Sequence, residues 1–319
     1  MKVHLSFDVE IWCDGWDELD RKFPVQFERY VYGRSAAGDF ALPHALNVLS
    51  RHGLQAVFFV EPLFAGRFGI EPLREIVALI QDAGQEVQLH LHPEWADEIR
   101  PLPFEGARVK RQHLSYYSLD EQVALLGLGL RLLAEAGAHP IKAFRAGSFA
   151  CNADTFKALS QIGLHYDSSL NPDHPDSGLD LRAQQDFYRP SCIDAVETIP
   201  MTVFRDGLGK PRPAQVGACS FAEMRAALES AQAQGLEHFM ILSHNFETLV
   251  PGSTKPDRFV VARFEQLCAY LAAHADAYDV CGFNSPGFGI RLGGPPAAIR
   301  APLLASARRH LEQLARRLL

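Results

Sequence analysis

Two acids separated by one residue, and two imidazoles separated by one residue, are the chemically distinctive groups of this chain. Asp8 and Glu10 close the run Val3-His4-Leu5-Ser6-Phe7-Asp8-Val9-Glu10, an alternating stretch with the pattern of a β-strand. A period of two puts both carboxylates on one side of the strand and its exit. There they form either a proton-transfer pair or a base beside a metal ligand. His90 and His92, in His90-Leu91-His92-Pro93-Glu94-Trp95, share a face if their strand persists to His92. With Glu10 they offer two imidazoles and a carboxylate, the donors of a catalytic zinc site that keeps a position open for water. Cobalt, nickel or iron suit the same donors. Glu94 competes with His92 as the third ligand, because Pro93 bends the chain between them.

With Glu10 on a metal, Asp8 is free to act as the base toward water. Arg145, in Phe144-Arg145-Ala146-Gly147-Ser148-Phe149, is an always-charged fork suited to hold and orient that carboxylate. Gly147 beside it lets the backbone approach closely. His244, in Ser243-His244-Asn245, is the candidate acid for a leaving group, and Asp167, in Asp167-Ser168-Ser169, is the expected partner that raises its pKa. Trp12, Trp95, Phe149 and Glu94 are the candidate substrate contacts. A nucleophilic serine is disfavoured, since Ser243 directly precedes His244 and no G-x-S-x-G elbow is present.

These groups need a scaffold that brings strand ends together. Apolar runs at 3–9, 56–60, 86–90, 141–144, 165–167, 196–204, 239–242 and 280–283 read as strands. Between them, helical patterns cover 41–52, 71–82, 118–135, 152–161, 220–234 and 259–273. Ser118 with Glu121, and Ser220 with Glu223, are capping boxes. The alternation predicts one α/β domain over 1–319, a parallel sheet or barrel of about seven strands with reactive groups at the C-terminal strand ends. The aromatic-rich insertion 11–40 is expected to be a substrate-covering lid or an extra packing layer. A C-terminal helix over about 296–319 carries Arg308, Arg309, His310, Arg316 and Arg317 beside leucines. It suits either the barrel rim or an anionic membrane surface.

Bulk composition narrows the partners. The 319 residues carry a formal net charge of −7, and no basic-aromatic patch favours nucleic acid. No apolar run approaches a membrane span and no secretory signal is visible, so the expected address is cytoplasmic. The six scattered cysteines form no CxxC pair and read as reduced thiols.

Taken in order, the motifs resemble those of the polysaccharide deacetylases, carbohydrate esterase family 4. Ser6-Phe7-Asp8-Val9-Glu10 is similar to the motif that carries the base and a metal ligand, in a branch with an acid-x-acid pattern. Leu89-His90-Leu91-His92 stands at the metal histidines, although these are two apart where the family's are usually four apart. Phe144 to Phe149 resembles the arginine motif, and Tyr166-Asp167-Ser168-Ser169 with Leu242-Ser243-His244 the motifs of the acid pair. The resemblance implies a distorted parallel (β/α) barrel and metal-dependent removal of N-acetyl groups from an amino sugar in a poly- or oligosaccharide. Three alternatives stand beside it. These are deformylation or deacetylation of a lipid-linked sugar, metal-independent hydrolysis of a small non-sugar amide, and sugar binding without catalysis.

Overall fold

The computed structural model describes all residues except 179, 293–297, 318 and 319. Strand β1 (Lys2–Val9) leads through helix α1 (Leu19–Phe27) and a π-helical turn (Glu28–Tyr32) to the hairpin β2 (Arg34–Ser35) and β3 (Gly38–Asp39). Then follow α2 (Leu42–Arg51), β4 (Val57–Val60), α3 (Ala65–Phe68), α4 (Glu71–Asp82), β5 (Glu86–Leu91), α5 (Leu119–Glu135), β6 (Ala143–Ala146), α6 (Ala153–Gln161) and β7 (Tyr166–Asp167). The second half holds β8 (Ser191–Ile193), β9 (Val196–Thr198), β10 (Val203–Arg205), β11 (Pro211–Pro213), α7 (Phe221–Ala233), β12 (His238–His244), α8 (Arg258–Ala273), β13 (Asp279–Val280) and α9 (Leu303–Arg317).

Nine strands form one curled sheet in the order β12-β1-β4-β5-β6-β7-β9-β8, with β13 also on β1. Every pair in it is parallel except β8 with β9. Its open side is laced together by side chain and backbone: Thr202 Oγ1 accepts from Met240 N–H at 2.8 Å, and Ala214 O from Leu242 N–H at 2.9 Å. The result is a single-domain, mostly parallel half-barrel of nine strands, consistent with the expected distorted parallel (β/α) barrel of about seven.

Period two sorts the strands into an inner and an outer face. Val3, Leu5, Phe7 and Val9 of β1 enter the large core between sheet and helices, where Phe7 stacks on Phe58 at 4.8 Å. A smaller apolar cluster includes Val57, Phe59, Ala143, Met240, Leu242 and Phe283 and fills the barrel. The polar residues of β1 that alternate with the outer ones are His4, Ser6 and Asp8, all buried. Helix starts follow the sequence signals: Ser118, Asn152 and Ser220 each close a capping box, and Asp257 caps α8.

Some elements differ from the expectation. The strand expected at 141–144 runs from 143, because Gln88 Oε1 accepts from both Lys142 and Ala143 N–H at 2.7 Å. The strand expected over 196–204 is broken after Thr198, where Ile199 and Met201 turn into the barrel cluster. Insertion 11–40 sinks Ile11, Cys13, Leu19, Phe23, Phe27 and Val31 into the main core, so it is a packing layer.

The C-terminal helix begins at Leu303, after non-helical residues 298–302; the outer parts of the expected 296–319 span lie outside the described residues. Three of its arginines form ion pairs within the chain. Arg309 bonds Asp206 and Glu223, Arg316 bonds Asp257, and Arg308 bonds Glu312. The pairs with Glu223 and Asp257 tie the helix to α7 and to the start of α8. Among the described residues no helix is long and apolar enough to cross a membrane.

Candidate metal centre and active site

The C-terminal ends of β1, β5, β6 and β12 deliver the reactive side chains to one cleft. β1 and β12 run in register, so Asp8 lies beside His244. β5 and β6 likewise set His90 beside Arg145. Glu10 follows β1, fixed by its backbone: its N–H donates to Asn245 Oδ1 at 3.1 Å and its carbonyl accepts from Asn245 Nδ2 at 3.2 Å. The same Nδ2 donates to Tyr30 O at 2.6 Å, which stitches the insertion to the site.

Three donors converge on one point. Glu10 Oε1 lies 3.0 Å from His90 Nε2 and 2.9 Å from His92 Nε2. The Nδ1 hydrogens are committed on the far side of each ring, His90 Nδ1 donating to Arg145 O at 2.7 Å and His92 Nδ1 to Glu94 Oε2 at 3.3 Å. Both Nε2 atoms therefore turn lone pairs toward a carboxylate oxygen, a repulsive set until a proton or a cation joins it. Burial opposes the charged form of His92, but the Glu10 charge and the bonds to Glu10 and Glu94 outweigh it and hold its pKa well above the ordinary value. Glu10 moves the opposite way: burial would raise it, and the His92 charge with bonds from both imidazoles pulls it well below the carboxylate range. A proton thus stabilises the position where the donor chemistry suits a divalent cation. Glu10, His90 and His92 form a possible metal-binding group.

Beside it, Asp8 Oδ1 accepts from Arg145 Nη1 at 2.6 Å. The fork continues to Ser6 Oγ at 2.9 Å and Ser168 Oγ at 3.1 Å, with the guanidinium 4.3 Å over the Phe59 ring. Arg145 is fully buried and has one orientation to offer. Gly147 is required here, since a Cβ on it would meet the His92 ring at 2.6 Å. Next to it Ser148 and Phe149 both adopt left-handed backbone, φ 52° and 53°.

His244 departs from the sequence reading in its partner. Its Nδ1 donates to Glu247 Oε1 at 3.0 Å, and Nε2 has no hydrogen-bond partner among the described residues. Burial lowers the imidazole's pKa, but the bond to Glu247 and the charges of Glu10, Glu247 and Asp8 raise it to about 9. Glu247 is itself fixed by Gly217 N–H at 2.8 Å, Ser243 Oγ at 3.2 Å and Gln215 Nε2. Asp167 is elsewhere. It sits level with Phe144, whose side chain enters the outer core, while its neighbour Tyr166 packs on the barrel cluster. Its carboxylate accepts from Ser169 N–H at 2.8 Å and Ser169 Oγ at 2.5 Å, and burial pushes it up to about 7 despite those bonds.

Of the expected substrate contacts, Phe149 is half-buried beside His174, with ring centroids 5.8 Å apart. Trp95 is 2% exposed and packs against Trp16, Phe64 and Phe68, so it is core. Glu94 is buried behind His92 and orients that ring, which removes it both from substrate contact and from the ligand position facing Glu10. Trp12 donates its indole N–H to Glu10 Oε2 at 2.7 Å and stands edge-on to His92. Asn245 and Glu247 were missed, although Glu247 stands one helical turn beyond His244 in sequence.

Solved structures with similar chain paths include a deacetylase, a carbohydrate esterase and a pseudoenzyme. A candidate polysaccharide deacetylase from Mycobacterium smegmatis shares 21% identity at a TM-score of 0.52, covering 90% of this chain and 94% of its own. A family 4 carbohydrate esterase from Streptomyces lividans in complex with acetate shares 15% at 0.46, covering 92% and 98%. A CE4 family pseudoenzyme from Bacillus anthracis shares 14% at 0.41, covering 87% and 62%. No protein-family model matches the sequence, and no curated protein matches it. The M. smegmatis structure identifies the fold as that of the polysaccharide deacetylases.

Proposed function

We propose that this protein is a metal-dependent hydrolase of carbohydrate esterase family 4 that removes N-acetyl groups from an amino sugar in a poly- or oligosaccharide. The observation that carries the reading is the side-by-side placement, in one cleft, of a Glu10–His90–His92 donor set, an Asp8–Arg145 pair and a His244–Glu247 pair. Glu10, His90 and His92 would hold a divalent cation, zinc being the best suited to these donors. When bound, such an ion supplies Lewis acidity toward the amide carbonyl and toward water.

The chain's own residues perform the proton transfers. Asp8 Oδ1 is anchored on Arg145, and the Asp8 carboxylate takes the proton from the attacking water as its oxygen bonds to the acetyl carbon. Arg145 holds the base in one orientation while charge moves through the cleft. As the C–N bond breaks, protonated His244 delivers the proton from Nε2 to the departing amine, and Glu247 holds the ring by Nδ1. Acetate and the free amino sugar leave.

Asp8→Asn is expected to retain bound metal and lose turnover, whereas Glu10→Ala loses both, read by metal analysis and acetate release. Wild-type turnover in Asp8→Asn would show that another group is the base.

A further inference from the structure

We propose that α9 and the adjoining hairpin β10–β11 form a docking face for an anionic lipid bilayer. A surface helix ordinarily turns its apolar stripe to the core and its charges to water. Helix α9 does the reverse. Its inner side is polar: Arg309 pairs with Asp206 and Glu223, Glu312 with Arg263, and Arg316 with Asp257, while buried Ser306 accepts from Gly207 N–H at 2.9 Å. Its apolar side is bare. Leu303, Leu304, Leu311 and Leu314 are 58%, 84%, 67% and 56% exposed. At 3.6 residues per turn these leucines fall within about 100° of one another, with exposed Ala307 among them. Leu208, exposed at the tip of the hairpin, extends the stripe, because Gly207 next to it is packed against the backbone of Leu303. Exposed leucines scattered singly need no account, whereas a row of them marks a surface that something covers.

Charge decides what covers it. Arg205 and Arg300 are neighbours across a parallel bridge, in which Arg205 N–H donates to Ile299 O and Ala301 N–H to Arg205 O, both at 2.9 Å. Their side chains are exposed, and neither of them nor exposed Lys210 has an acidic partner among the described residues. Like charges set side by side are unfavourable until an anion joins them. On α9 itself His310 and Arg308 border the leucines on either side, and the acid Glu312 is turned away onto Arg263. A soluble polyanion would meet the arginines and leave the leucines in water. A second copy of this chain, paired about a two-fold axis, would bury the leucines but set the same cations against themselves. A bilayer with anionic headgroups satisfies both, since the leucines enter the acyl boundary and the basic side chains stay at the phosphates. In a chain of net charge −7 this local patch must supply the attraction.

The test sediments the full chain with phosphatidylcholine vesicles made with and without phosphatidylglycerol. Wild type is expected to partition about tenfold more strongly onto the anionic vesicles. Leu304→Gln/Leu311→Gln and Arg205→Gln/Arg300→Gln should each weaken that binding about tenfold. Val25→Gln/Val109→Gln, at exposed positions outside α9 and the hairpin, should leave it unchanged. Every substituted side chain is exposed, and thermal melts check that each variant is folded. Absent binding, equal binding to both kinds of vesicle, or binding that either the leucine or the arginine variant leaves unchanged would overturn the proposal. Equal weakening by the valine variant would overturn it too. A dimer in light scattering that Leu304→Gln/Leu311→Gln dissociates, with no vesicle binding by wild type, would give the face to a second copy instead.

Discussion

The two ends of the β1–β12 ladder hold histidines, His4 and His238 buried and His244 half-buried, and drive them in opposite directions. At the N-terminal end, His238 lies beside Lys2, and its Nδ1 is 3.0 Å from His4 Nε2. His4 Nδ1 donates to Cys281 O at 2.9 Å, leaving no carboxylate in the chain of bonds. Burial lowers His4 to about 4 and His238 to about 3. At the C-terminal end burial pulls His244 down too, yet Glu247 and the nearby acids lift it to about 9. The scaffold is common to both; a carboxylate bonded to the imidazole at one end and not at the other decides where the barrel keeps protons available for chemistry.

The sharpest way to break this contrast is to remove the working acids. Asp8→Asn and His244→Gln are each expected to lower kcat by about 10²- to 10⁴-fold in acetate release. Glu247→Gln should cost less and act mainly on the pH profile. A raised pKa means that the proton is present at lower pH and lost as pH climbs through it. The alkaline limb of kcat therefore sits at or below about 9, since a cation on Glu10 cancels part of that carboxylate's pull. In Glu247→Gln the limb moves to lower pH; an unmoved limb would deny that Glu247 sets His244.

At the other end, His4→Gln should leave turnover intact and change stability in acid. The folded pKa of His4 lies below the unfolded value, so its neutral form's contribution is present above about 6.5 and lost as pH falls toward 4, on the order of 3 kcal/mol. Denaturant midpoints between pH 7 and 4 should fall less steeply in the variant. The smallest effect is expected for Asp167→Asn, which should leave the alkaline limb in place because Asp167 bonds Ser169 and not His244.

The same contrast shows what a sequence makes legible. The residues at the strand ends were readable because parallel α/β folds gather C-terminal strand ends, and capping boxes marked the helix starts. Asp167 was misread because the two-residue period also runs through β7, where Tyr166 takes the barrel side. Glu94 and Trp12 looked like ligand-facing groups; only the turn after β5 and the path after Glu10 reveal that they hold His92 and Glu10 from behind. Asn245 was invisible for a related reason: its work is on backbone atoms of Glu10 and Tyr30, which leave no pattern in side-chain chemistry.

The central claim is that the carboxylate-rich end is a metal-dependent deacetylase centre. Its most direct test is metal content of the purified protein, paired with acetate release from N-acetylated sugars before and after chelation. About one equivalent of zinc or a similar divalent ion, with turnover abolished by chelator and restored by metal, is the expected result. Protein that carries no metal and binds none on addition, or acetate release indifferent to chelator and to Glu10→Ala, would contradict it.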